Sequence, residues 1–225
     1  CNGDVVLTDD NSTVACTTLK VSFNKAPDGS SSPDTAFATG NVKAVSETQT
    51  LRSDEARVTF KPSDLEQSDD DSMFGNSKAD TMHADGNVQV LLDDGGRAFC
   101  DVLDGNIAQD SVLLTGNVVI AYKRMLMNKG DKATLTLDRN AGKGRWEGAG
   151  QALFLDLPLD VSSDKRIERP QVSKEIPESD YANNISMRAN WDESMLLDRT
   201  FNNDAGAVDL NGNVDVRSQR NLYER

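Results

Sequence analysis

The chain has 225 residues, with 37 acidic against 24 basic side chains and a net charge of −13, which excludes the clustered cations that a nucleic-acid partner needs. Hydrophobic residues make up 37% and aromatics 5%, too few large side chains for a thick globular core but enough for a lining one residue deep. The longest apolar runs, such as Val118 to Tyr122, are far shorter than the about 20 residues that cross a bilayer as a helix.

Taken in chain order, the sequence is organised by a repeated phrase. Gly3-Asp4-Val5 is a first variant, followed by Gly40-Asn41-Val42, Gly86-Asn87-Val88, Gly116-Asn117-Val118 and Gly212-Asn213-Val214. Each copy is expected to open a strand. Nine or ten residues after the valine of the first four, a second alternating segment begins, at Val14, Leu51, Ala98 and Asn128. The unit is a strand pair, and repetition at this spacing predicts a stacked, all-β architecture. Period-two alternation places Val42 and Ala44, Val88 and Val90, Val118 and Ile120, and Val214 and Val216 on one face, with Lys43, Gln89 and Asp215 on the other.

In the second strand of each pair the alternation slips by one residue, at Thr17-Thr18, Asp54-Glu55, Asp101-Val102 and Asp131-Lys132, the signature of a bulge. A bulge at a fixed place bends every strand alike. The expected result is a sheet folded over on itself into a trough or flattened tube with an apolar inside and a polar outside. Its inward residues are Val42, Ala44, Leu51, Val58, Phe60, Val88, Val90, Val118, Ile120, Leu135, Leu137 and Val214. Alternation serves a side-chain-filled interior as well as an open one, so a sealed structural scaffold and a lipid-independent adhesin or assembly module stand beside a binding module.

The strand-like units cover residues 1–23, 37–60, 73–107 and 112–155. Between them, Asn24 to Thr35, with Pro27, Gly29 and Pro33, reads as a surface excursion, and Asp9-Asp10-Asn11 and Asp94-Gly95-Gly96 read as hairpin turns. Residues 62–72 carry Asp64, Glu66 and Asp69-Asp70-Asp71. Without EF-hand spacing or a glycine at the turn, this is a solvated acidic loop rather than a calcium site.

Residues 156–184 form a polar connector with Pro158, Pro170 and Pro177, expected against the outside of the sheet, and residues 185–225 resume the repeat. The three stretches 1–155, 156–184 and 185–225 form one continuous domain. The partner strand of the last unit would start near Tyr223, and both ends cut the repeat register. The chain therefore reads as a piece of a longer stack. No basic stretch followed by an apolar one opens the sequence, so export is not read from it.

Catalytic and metal signals are thin. His83 is the single histidine and reads as an edge or surface residue, and no nucleophile elbow, phosphate loop or dinucleotide fingerprint occurs. The reading is a non-enzyme with no metal or cofactor. Cys16 and Cys100 share a small-residue column with Ser53 and Gly130, about two strand spacings apart and beyond bridging reach, so both are predicted to be free, buried thiols. Cys1-Asn2-Gly3-Asp4-Val5 parallels Thr39-Gly40-Asn41-Val42 with no flexible tether, which favours an artificial cut through a longer chain over a lipoprotein anchor at Cys1. Trp146 and Trp191 read as strand packing, with a place at the groove mouth as the lesser option.

The Gly-Asn-Val copies and the strand ending Ala56-x-Val58-x-Phe60 resemble the OstA-like (LptA-like) family of lipopolysaccharide-transport β-jellyrolls. The resemblance covers about four-fifths of the chain, leaving out the two polar loops and the connector. It implies an elongated antiparallel β-jellyroll, open along one edge and taco-like, whose apolar groove holds acyl chains of lipopolysaccharide or a related glycolipid. It also implies end-to-end stacking with similar domains and envelope transport partners, a place in the periplasm of a diderm bacterium, and a role in outer-membrane biogenesis. The net charge of −13 would repel a phosphorylated headgroup unless divalent cations or locally basic rims intervene.

Overall fold

The computed structural model describes residues 2–9, 12–25, 29, 31–62, 77–93, 95–122, 124–138, 140–155, 185–198, 200 and 207–218. Cys1, the acidic stretch 63–72, the connector 156–184 and Tyr223 lie outside the described residues, and with them the readings made on those segments.

The described part is all-β. Six strands come first: β1 (Asn2–Asp9), β2 (Ser12–Lys25), β3 (Ser31–Ser46), β4 (Gln49–Pro62), β5 (Ser77–Leu92) and β6 (Arg97–Asn106). Five further passes of the chain are each split in two. They are β7 (Ser111–Thr115) with β8 (Val118–Tyr122), β9 (Met125–Gly130) with β10 (Thr134–Asp138), β11 (Lys143–Glu147) with β12 (Gly150–Leu155), β13 (Ile185–Trp191) with β14 (Ser194–Asp198), and β15 (Ala207–Asn211) with β16 (Asp215–Ser218). Every pairing is antiparallel and all 16 strands belong to one sheet, a meander that is not closed into a barrel.

The places where the later passes split are the places where the earlier strands bulge. Together they draw one crease across the sheet, with a first wing carrying β8, β9, β12, β13 and β16 and a second wing carrying β7, β10, β11, β14 and β15. The crease follows from the Gly-Asn dipeptides. Gly40 and Asn41 have φ of 80° and 49°, Gly86 and Asn87 75° and 50°, and Gly116 and Asn117 73° and 45°. Two successive left-handed residues suit glycine and then asparagine, the side chain that best tolerates that region.

The bulge is therefore correctly placed along the strands but belongs to the other partner. Gly40 and Asn41 together face Asp54, and Gly86 and Asn87 together face Asp101. The extra residue is supplied by the Gly-Asn strand and not by Thr17-Thr18, Asp54-Glu55 or Asp101-Val102, while Asp131-Lys132 is the turn that divides β9 from β10. In β3 and β5 the phrase accordingly lies mid-strand rather than opening one. The excursion expected at residues 24–35 is largely strand, since Phe23 pairs with Pro33 and Lys25 with Ser31.

One further crease escapes the repeat. Gly148-Ala149-Gly150 separates β11 from β12, with Gly148 at φ 97° and its N–H donating to the carbonyl of Glu193 at 2.7 Å. Alanine stands there in place of asparagine, so the three-letter phrase does not register it.

Candidate functional site

The inside of the crease carries two cross-strand ladders. On the second wing the paired residues run Leu19, Ala38, Ala56, Ala84, Leu103, Leu114, Leu135, Trp146, Met195 and Leu210 without interruption from β2 to β15. On the first wing they run Leu7, Val14, Ala44, Leu51, Val90, Ala98, Ile120, Met127, Ala152, Ala189 and Val216 from β1 to β16. Between them, at the crease, lie Cys16, Val42, Ser53, Val88, Cys100 and Val118, all buried.

Leu51, Val88, Val118, Met127 and Trp191 from one wing pack with Ala84, Leu103, Leu114, Leu135 and Trp146 from the other in a single cluster, and Cys16, Ala38 and Val42 form a second at the β2–β3 end. The trough is thus deepest at the crease. Val90, Ile120 and Leu137, farther out, are partly buried against the first cluster, and Phe23, Leu92 and Ile107 are exposed.

Of the inward residues read from sequence, Val42, Leu51, Val88, Val118 and Leu135 are buried in this floor, and Ala44, Val90, Ile120 and Leu137 pack against it. Val58 and Phe60 are half-buried toward the rim of the second wing. Val214 is a correction: it is 43% exposed, beside Val216 at 55%. Both lie in the last described pass, where among the described residues β16 pairs with β13 alone. Ala38, Ala84 and Leu114, just before the Gly-Asn step of their own passes, and Ala56, Leu103 and Met195 beside them join the floor without a signal in the repeated phrase, because only pairing brings them into one ladder.

A side-chain latch holds the Gly-Asn creases. Asn87 Nδ2 donates to Asp54 Oδ2 at 2.7 Å, and Asn117 Nδ2 to Asp101 Oδ2 at 2.8 Å. At the last crease Asn213 donates twice to Asp192, from its backbone N–H at 2.7 Å and from Nδ2 at 2.6 Å. Those two donors hold the exposed Asp192 carboxyl below its ordinary range. Thr17 takes the acid's place at the first crease, its hydroxyl donating to the carbonyl of Gly40 at 3.2 Å. The same side chains explain the glycines. A Cβ on Gly40 would stand 2.5 Å from Thr17 Oγ1, and one on Gly86 2.6 Å from Asp54 Oδ2.

Trp146 and Trp191 face each other edge to face, with ring centroids 5.8 Å apart and planes at 82°. They belong to the buried floor rather than to a mouth. Gly150 makes room for them, because a Cβ there would strike the Trp191 ring and lie 2.9 Å from Trp146 Nε1. Trp146 Nε1 donates to the carbonyl of Ala149 at 3.2 Å. Ser53 Oγ and Trp191 Nε1 are buried side-chain atoms with no hydrogen-bond partner.

Cys16 and Cys100 are buried thiols outside any disulfide, as read from sequence, and burial pushes the Cys16 thiol up from its ordinary value. His83 is exposed on the outside, its Nδ1 2.6 Å from Asp104 Oδ1. Among the described residues no group of three metal-binding side chains converges.

The outer face departs from the expected polar surface. On the first wing Phe99, Val119, Ala121, Leu153 and Leu155 are buried although they point away from the trough, and Leu126 packs with the last two. The unbroken apolar runs Val118–Ala121 and Ala152–Leu155 carry the signal for burial on both faces, which a strict in-out alternation misses. No protein-family model matches the chain, and no curated protein matches it.

Proposed function

We propose that the chain is a lipid-carrying module of the OstA-like type, holding acyl chains of lipopolysaccharide or a related glycolipid in the creased trough. It passes them along a stack of similar domains toward the outer membrane, in the periplasm of a diderm bacterium. The observation that carries the reading is the pair of unbroken apolar ladders converging on one crease, buried at the floor and progressively uncovered toward the rim. Hydrocarbon leaving water gains on the order of 0.8 kcal/mol per methylene, so such a surface binds by shape and apolarity. Neighbouring rungs of near-equal chemistry let a chain slide without breaking a directional bond.

The test is uptake of an acyl-chain probe by delipidated protein, together with lipid extraction and mass spectrometry of the protein as purified. Val118→Asp sets a carboxylate on the floor at a fully buried position and is expected to remove most of the uptake. Uptake that persists unchanged in this variant, with its fold intact by circular dichroism, sinks the reading. A sealed scaffold is favoured by one observation, the filling of the C-terminal floor by Trp146, Trp191 and Met195. It predicts no lipid in the extract and no uptake.

A further inference from the structure

The outer side of the first wing is buried although no described strand covers it. Phe99, Val119 and Leu153 point away from the trough yet keep only 5%, 5% and 4% of their surface, and Ala121 and Leu155 near them are buried as well. Pairing joins this side into a strip from β6 to β12, with Arg97 beside Ala121, Ala121 beside Leu126, and Leu126 beside Leu153. All 16 described strands belong to one sheet, so none of them lies across its back. The second wing shows the same side without a cover: there the outward Leu113 is half-buried and Leu196 is 37% exposed. A sheet face dried to this degree has a second layer packed on it.

We infer that this layer is the chain's own segment 156–184, folded back over the outer side of β12, β9, β8 and β6. It leaves the sheet at Leu155, itself buried on that side, and returns at Ile185 in the neighbouring strand β13, so both its ends are anchored at the margin of the strip. From β12 to β6 the strip crosses three strand intervals, about 14 Å at roughly 4.8 Å each, and a chain advancing about 3.3 Å per residue spans that with length to spare. Other stretches outside the described residues start elsewhere: 63–76 and 201–206 join strands at the rim of the second wing, and 219–225 follows β16, five strand intervals from β6. The composition fits as well. The alternation of Leu153 and Leu155 runs on into Leu157, Leu159 and Val161, which supplies an apolar edge to lay on an apolar strip. Acids outnumber bases in the segment, and the strip is flanked by Arg97 and Arg188. The back of the first wing is thus a docking site filled within the chain, and this cover is independent of what the trough holds.

The segment carries its own reporter, since Lys165, Arg166 and Lys174 are trypsin sites. In the full chain under native conditions, cutting there is expected to run about a hundredfold or more slower than in a synthetic peptide of residues 156–184, because it waits for the segment to lift. Leu153→Ser, or Val119→Ser as a second variant, weakens the strip and is expected to speed the cutting about tenfold or more. Leu135→Ala, which removes apolar contact from the opposite, trough-facing side, should leave it unchanged. In the converse experiment Leu157→Ser, Leu159→Ser and Val161→Ser together uncover the strip, and binding of a fluorescent dye for exposed apolar surface should rise severalfold. Native cutting as fast as in the free peptide overturns the inference. So does equal acceleration by Leu135→Ala, or a cutting rate and dye binding indifferent to all of these changes in protein that keeps its circular dichroism.

Discussion

The two halves of the sheet solve the same bending problem differently. From β1 to β6 the chain passes the crease inside continuous strands, with a Gly-Asn bulge absorbing the turn, and the floor is lined by Ala38, Ala56 and Ala84. From β7 onward each pass breaks into two strands at the crease, and the floor is filled by Leu114, Leu135, Trp146 and Met195. The tighter break accompanies the fuller interior. Bulk inside the fold therefore does not prop the wings into one continuous curve; the Gly-Asn backbone sets where the sheet turns, and side-chain volume sets how much space the turn encloses.

The contrast is broken most directly by emptying the filled half. Trp146→Ala removes the bulkiest fully buried side chain of the floor and is expected to cost about 3–5 kcal/mol, read by chemical denaturation. The matching change in the alanine half, Val58→Ala at a half-buried position, should cost under about 1 kcal/mol. Equal losses would mean that the halves are packed alike.

The crease itself is the next target. Gly86→Val forces a β-branched residue to φ 75° against the Asp54 side chain and is expected to cost about 2 kcal/mol or more, with pairing lost between β4 and β5 by hydrogen exchange. Asn117→Gly keeps the left-handed backbone and deletes only the bond to Asp101. Its expected cost of about 1 kcal/mol, measured by thermal unfolding, separates the latch from the conformation.

The smallest effect is in pH. Asp192 is held below its ordinary range by Asn213, so its contribution is present above the ordinary aspartate value and is lost as pH falls through the depressed one. The NMR titration of its carboxyl carbon should have a midpoint below the unperturbed 3.8, and Asn213→Ala should return it upward.

Much of this was legible in the sequence, for physical reasons that also mark where legibility stopped. Period-two alternation names the side facing the floor, and Val42, Val88, Val118 and Leu135 follow it into burial. The pattern carries no information on what packs over a strand, so Val214 and Val216 obey the alternation and are still exposed. The slip in Asp54-Glu55 was a true sign of the crease seen from the wrong strand: Asp54 is the single residue that two left-handed neighbours, Gly40 and Asn41, must oppose. The ladder of alanines was invisible because each belongs to a different strand, and only pairing brings Ala38, Ala56 and Ala84 side by side.

The latch has a consequence for how such a protein changes length. Each crease is held by contacts between one strand and its immediate neighbour, Asp54 with Asn87 and Asp101 with Asn117, so no crease depends on a distant one. A duplicated hairpin that brings its own Gly-Asn and its own facing carboxylate carries its own part of the fold line with it. Growth of the array is thus a local copying problem, and its tolerance to insertion is decided by three residues rather than by the whole sheet.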